Sequence, residues 1–246
     1  YFEIPLALLG REMLIGSTIA ETTSHYFGSV GEKPHEPLHV VFTRTDSLIN
    51  LLEANALHVT GNERMRKNVD KNAYPAVLIK AWSPDSTAIV IDMTDYLSGG
   101  ENEALDPFSP WMPILWQYGG GEEGQLEKEF KREFTRIGRI AAYENNVSVQ
   151  TSLTYDVSVQ AQQWYWIYKM PFTALVTRTF LLLPETPARA RLADPRIGVF
   201  FGGKYLYEED ERGVEVRYHT HRWRLEPKDL TAFRQGRLTE PIQPIA

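Results

Sequence analysis

The chain contains no cysteine. That absence excludes disulfides, thiolate zinc ligands, a nucleophilic cysteine and a cysteine latch on a metal. No apolar run approaches the ~18 residues of a membrane-spanning helix, so this segment carries no membrane span. Basic charge is in deficit, with 26 Lys and Arg against 32 Asp and Glu and a net charge of −6. A broad phosphate-binding surface needs clustered cations, so nucleic acid is not an expected partner. There is no Gly-x-Ser-x-Gly elbow, no phosphate loop ending Gly-Lys-Ser/Thr and no Gly-x-Gly-x-x-Gly, which leaves hydrolase, nucleotide and dinucleotide readings without local support. The sequence opens at Tyr1 with neither an initiator Met nor a basic-then-apolar leader. It reads as an excised piece, with any export signal upstream.

What is present suits a globular β-rich fold. At 246 residues the chain can bury about 70–75% of its unfolded surface without staples. Val147 to Gln160 alternates Val147, Val149, Thr151, Leu153, Tyr155, Val157 and Val159 with polar neighbours, the pattern of a strand with one face on a core. Ala76 to Trp82 and Thr87 to Met93 flank the turn tetrad Ser83-Pro84-Asp85-Ser86, which predicts a hairpin. Val199 to Tyr207 and Val214 to Leu225 flank an acidic tip, Glu208 to Gly213, and predict another; the tip lacks the spaced ligands of a calcium loop. Between Gln125 and Tyr143, Leu126, Phe130, Phe134, Ile137 and Ala141 recur at spacings of three and four, with Glu127 and Lys131 an i,i+4 pair. This predicts one amphipathic helix. The Pro- and Gly-rich stretch 99–124 reads as a long loop, a candidate mobile element or subdomain boundary. The expected fold is α+β: a predominantly antiparallel sheet, sandwich-like or two-layer, with one main helix. Residues 1–240 form the domain and 241–246, with Pro241 and Pro244, begin a linker.

Candidate chemistry is sparse. His35-Glu36-Pro37-Leu38-His39 matches His-Glu-x-x-His literally, a spacing that holds zinc when a helix puts both imidazoles on one face. Pro34 and Pro37 bracket it, and proline inside a helix costs roughly 3 kcal/mol. Leu38 to Thr43 reads as a strand, where residues four apart lie about 13 Å from each other. A surface loop entering a strand is therefore favoured over a metal site at His35 and His39. His219 and His221 would share one face of a strand but need a ligand from elsewhere, so a polar face continuing Glu215 and Arg217 is favoured. Asp194-Pro195-Arg196 reads as a structural corner, with an interface latch as the alternative. Trp164, Tyr165, Trp166 and Tyr168 could form a platform for a peptide or glycan, but alternation splits them between two faces, which favours core packing. No catalytic residue, metal ligand or cofactor is assigned to this segment.

The order Leu181-Leu182-Leu183-Pro184-Glu185, then Arg191-Leu192-Ala193-Asp194-Pro195-Arg196-Ile197-Gly198, then His221-Arg222-Trp223-Arg224-Leu225-Glu226-Pro227-Lys228-Asp229, then Glu240 to Ile245, resembles a family. So do Phe2-Glu3-Ile4-Pro5 and Leu8 to Leu14 at the start. They resemble the uncharacterised domain that precedes the catalytic domain in large secreted bacterial zinc-dependent metalloproteases. The resemblance implies a non-catalytic accessory domain in an exported protein, with zinc and its His-Glu-x-x-His helix further along the parent chain. Its partner would be that downstream peptidase domain, with a polypeptide substrate, and an uncovered apolar patch is expected on the isolated piece. Asp194, Arg196, Arg222, Trp223 and Arg224 are the interface or latch candidates. Two alternatives remain open: a self-contained zinc hydrolase using His35, Glu36 and His39, and a peptide- or glycan-binding β module.

Overall fold

A computed structural model of the chain describes residues 1–54, 58–60, 62, 73–99, 105–109, 124–161, 167–207, 214–221 and 226–241. In chain order the strands are β1 (Phe2–Pro5), β2 (Glu12–Thr22), β3 (Leu38–Thr45), β4 (Leu48–Glu53), β5 (His58–Thr60), β6 (Ala73–Trp82), β7 (Ala88–Ile91), β8 (Gly124–Phe130), β9 (Arg136–Ala142), β10 (Asn146–Ala161), β11 (Ile167–Leu182), β12 (Phe201–Tyr207) and β13 (Val214–Thr220). Two five-residue helices accompany them among the described residues, α1 (Thr94–Ser98) and α2 (Leu230–Arg234). The fold is mostly antiparallel β, 54% strand against 9% helix, as the alternating patterns require.

The chain forms two compact units, one of residues 1–54 and 72–183, the other of 55–71 and 184–246. The first is a ten-stranded sheet in the order β1-β7-β6-β4-β3-β2-β11-β10-β8, with β9 also on β10. Every neighbouring pair in it is antiparallel, and the sheet curls into half a barrel. Its backbone is the long hairpin of β10 and β11, in register from Asn146↔Leu181 to Gln160↔Ile167. On β10 the inward face carries Val149, Thr151, Leu153, Tyr155, Val157 and Val159, the predicted apolar set, all buried. The inner face packs two apolar groups, one around Ile15, Phe42, Ile89 and Phe180, the other around Ile19, Phe27, Phe172 and Val176. Outward, the same hairpin is a hydroxyl ladder, Ser148 to Thr179 at 2.9 Å and Thr154 to Thr173 at 3.0 Å.

The predicted hairpin of β6 and β7 forms. Asp85 closes its turn by accepting from the Ser83 and Thr87 hydroxyls at 2.6 and 2.8 Å. Those bonds pull its carboxyl down to about 2.

The amphipathic helix expected over Gln125 to Tyr143 does not form. That segment is β8 and β9, laid end to end along one edge of β10 and separated by a 3-10 turn at Arg132–Phe134. Leu126 to Phe130 and Ile137 to Ala141 are each spaced by four; Leu126 and Phe130 share the strand face opposite Val159 and Tyr155, as they would share a helix face, while a bulge in the β9–β10 pairing puts Ile137 across from Thr151 and Ala141 across from Ser148. The turn inserts an odd step between the two pairs and so imitates the three-and-four rhythm of a helix. Phe134, in the middle of the imagined stripe, is 61% exposed. Lys131 reaches Glu129 and, across to β10, Asp156 at 2.5 and 3.1 Å, rather than the helical partner Glu127.

The second unit holds a three-stranded sheet, β13-β12-β5, in which β12 and β13 form the predicted hairpin and β5 lies parallel to β12. The acidic tip of that hairpin lies outside the described residues. Asp229 caps α2, accepting from the Ala232 amide at 2.8 Å.

The strand assignment of 124–142 makes a prediction that separates two phenylalanines. Phe130 packs on Tyr155, ring centroids 5.4 Å apart, so Phe130→Ala should cost about 2 kcal/mol or more by urea unfolding. Phe134→Ala should stay within about 0.5 kcal/mol; comparable losses at both sites would restore the helix.

Candidate functional site

The most concentrated chemistry lies inside the half-barrel, around the short segment Leu105-Asp106-Pro107-Phe108-Ser109. All five residues are buried. Leu105 joins the first apolar group and Phe108 the second, where its ring meets Tyr155 at 5.0 Å, Phe172 at 5.1 Å and Phe27 at 6.1 Å. The Ser109 amide donates to the Phe27 carbonyl at 2.7 Å, and its hydroxyl donates to Glu32. Gly28 is demanded by this approach, since a Cβ there would lie 2.6 Å from Ile19 Cδ1 and 2.7 Å from the Pro107 carbonyl oxygen.

Between the apolar anchors sits a buried acid. Asp106 Oδ1 meets His35 Nε2 at 2.8 Å and accepts from the Phe108 amide at 3.1 Å; Oδ2 accepts from Lys128 Nζ at 2.6 Å. Lys128 stands on the inward phase of β8, and its ammonium also lies 4.8 Å from the Phe108 ring centroid. Burial works to raise the Asp106 pKa, but the bonds from His35, Lys128 and the Phe108 amide outweigh it and leave the carboxyl below its ordinary range.

A second clamp comes from Arg178 on β11, which is completely buried. Its Nη1 donates to the Leu97 carbonyl and its Nη2 to the Leu105 carbonyl, both at 2.7 Å. One guanidinium thus joins the last turn of α1 to the start of the inserted segment. Burial pushes its pKa down to about 10, which leaves it charged at neutral pH. The buried Tyr155 hydroxyl is pushed up by the same loss of solvent, then by Asp106. Neither Asp106, Lys128 nor Arg178 is among the residues that sequence reasoning singles out. For Arg178 a signal exists: it falls in phase with Phe172, Ala174, Val176 and Phe180, where a strand buries its side chains.

The residues picked out by sequence fall apart into local roles. His35 and His39 do not converge. No helix carries them, His35 is bound to Asp106, and His39 on β3 lies 3.3 Å from Glu12. His219 and His221 are brought to one side of the β12–β13 pair, with His221 Nε2 3.3 Å from where a Gly202 Cβ would stand. Among the described residues no group of three or more His, Asp or Glu is arranged to hold a metal ion. Asp194 and Arg196 close on each other: the Arg196 amide donates at 2.9 Å and its Nε at 2.8 Å to Asp194 Oδ1, the geometry of a local corner. Those bonds lower the Asp194 pKa. Arg222, Trp223, Arg224 and the aromatic run Trp164 to Trp166 lie outside the described residues.

The arrangement is that of an antiparallel β domain whose strongest ion cluster is turned inward and anchors its own chain. Over residues 31–228 the sequence matches the family model described as Domain of unknown function (DUF5117), and the chain belongs to that family. No curated protein and no solved structure matches it.

The ion cluster has a definite pH signature. Because the Asp106 pKa is lowered in the folded state, its stabilisation is fully present above about pH 4 and is lost as pH falls through the folded value. Asp106→Asn should cost about 3 kcal/mol at neutral pH. In unfolding experiments across pH, that deficit should shrink below about pH 4; a deficit independent of pH would contradict the assignment.

Proposed function

We propose that this chain is a non-catalytic accessory domain that supports, gates or holds latent a zinc peptidase domain following it in a longer exported protein. The ordered motifs from Leu181 to Asp229 support the reading by their resemblance to such proteins. On the structural side, the carrying observation is the small sheet of the second unit. One of its faces presents Phe201, Tyr205, Val214, Val216 and Tyr218, all at least 40% exposed, while Lys204, Glu215, Arg217 and His219 alternate onto the other. Phe201 and Tyr218 meet edge to face at 5.4 Å on the apolar side. An amphipathic sheet with its apolar face toward solvent is a surface of the kind that marks interaction sites. The inward-turned ions of the larger unit, tied up in anchoring the chain, fit a supporting role better than a catalytic one. Zinc and the reacting groups belong, on this reading, to the parent's catalytic domain, whose substrate is a polypeptide.

The reading is tested on two samples. Purified residues 1–246 should carry no stoichiometric zinc by mass spectrometry after dialysis and should not cleave unfolded casein. The full parent chain should bind one zinc, and Phe201→Glu with Val216→Glu should change its peptidase activity or thermal midpoint while leaving the isolated domain folded. One zinc per chain with peptidase activity in residues 1–246 alone would overturn the proposal, as would a parent chain indifferent to both substitutions.

A further inference from the structure

A shallow cleft opens in the larger unit where β3 turns into β4, beside the end of β6. It encloses about 350 Å³, and the residues lining it include Arg44, Asp46, Ser47, Ile79, Lys80 and Trp82. A space of that size admits a small molecule of one ring and a short substituent.

The backbone turns these side chains to one face. Arg44 follows Val40 and Phe42 in the inward phase of β3 and stands across from the buried Ile49. On β6, Ile79 pairs with Ile91 and Trp82 with Ile89, both completely buried. Strand residues three apart ordinarily point to opposite faces. Here Lys80 is an extra residue between Ile79↔Ile91 and Ala81↔Val90, and this bulge brings Trp82 back to the face of Ile79. Arg44 and Trp82 thus extend the apolar inner face to the end of the sheet, where both are exposed.

The guanidinium is held in place before any ligand arrives. Asp46, in the left-handed region at φ 50°, offers its carbonyl to Arg44 Nε at 2.9 Å. Arg44 Cζ lies 4.8 Å from the centroid of the Trp82 ring. These contacts orient the fork and leave Nη1 and Nη2 without a protein partner among the described residues. Lys80 likewise makes no ion pair among them. Solvent satisfies a lone exposed cation, so an unpaired end alone marks nothing. What sets this cleft apart is an oriented fork, a second cation, an indole and an aliphatic floor in one concavity.

Charge and shape select the ligand. Against Arg44 and Lys80 the lining sets only the carboxylate of Asp46, an excess of one positive charge in a chain of net charge −6. One excess charge suits a monoanion, and the two free arms of a guanidinium match the two oxygens of a carboxylate. Ile79 and the indole suit an apolar ring beside it.

We propose that this cleft binds a monocarboxylate with an apolar ring body, its carboxylate on Arg44 Nη1 and Nη2 and near Lys80, its ring against Trp82 and Ile79. Two sources carry that chemistry: a free aromatic acid, and the last residue of a peptide ending in an aromatic side chain.

The test titrates isotope-labelled residues 1–246 with N-acetylphenylalanine and follows the indole N–H signal of Trp82, assigned with Trp82→Phe. The signal should shift saturably, with a dissociation constant of about 1 mM or lower. The amide of the same compound, which lacks the charge, and acetate, which lacks the ring, should each bind at least about tenfold more weakly. Arg44→Gln should weaken binding of the acid by a similar factor while leaving the thermal midpoint close to wild type, and Arg44→Lys should recover only part of the loss. A blocked peptide ending in phenylalanine separates the sources: tighter binding than the free acid assigns the cleft to chain ends, equal or weaker binding to free acids. No saturable shift at tenfold that concentration, equal binding of the amide, or an unchanged affinity in Arg44→Gln would each overturn the proposal.

Discussion

A buried charge has to be partnered, and in the larger unit that requirement fastens one short piece of chain to the whole sheet. Leu105 to Ser109 lies in the hollow of the half-barrel, with its own acid in the core. Desolvating Asp106 is costly, and the cost is offset by His35 from the segment before β3 and Lys128 from β8. Arg178 repeats the logic from β11 with carbonyl partners. Four stretches far apart in sequence are thereby held to a common geometry. Apolar contacts alone would let Leu105 and Phe108 slide among similar neighbours; the directed bonds to Asp106 and to the Leu105 carbonyl allow one register. The ion cluster supplies position, and the surrounding aromatic packing supplies most of the free energy.

Much of the sheet was legible in the sequence for a simple reason. Long alternating strands such as β10 and turn tetrads such as Ser83 to Ser86 encode their structure locally, so pattern and fold agree. The segment 124–142 was misread because spacing by four belongs to both a helix and a strand, and the odd step at Arg132–Phe134 completed a false helical rhythm. The contents of the half-barrel were illegible for a different reason. Asp106 sits next to Pro107 in a Pro- and Gly-rich stretch, where an acid ordinarily reads as solvated. What partners it is contact with Lys128 and His35, 22 and 71 residues away in sequence, and no local pattern carries that information. The one clue in the sequence was Arg178 occupying a core phase of β11.

The two units divide the chemistry between them. The larger buries Asp106 and Arg178, which fix the chain, and faces solvent on its long hairpin with hydroxyls already bonded to one another. The smaller turns an aromatic and aliphatic sheet face outward and keeps its ion pairs, such as Glu215 with Arg217, on the opposite side. The literal His-Glu-x-x-His at His35 shows how far a motif depends on its backbone: without the helix, one imidazole became a structural anchor for Asp106 and the other a strand residue beside Glu12.

The central claim is that Leu105 to Ser109 is core rather than loop, and amide hydrogen exchange tests it most directly. The Ser109 amide is bonded to the Phe27 carbonyl and the Phe108 amide to Asp106, both buried, so both should exchange only through global unfolding, as slowly as the central amides of β10 and β11. Exchange of these two amides at the rate of an exposed loop would contradict the account.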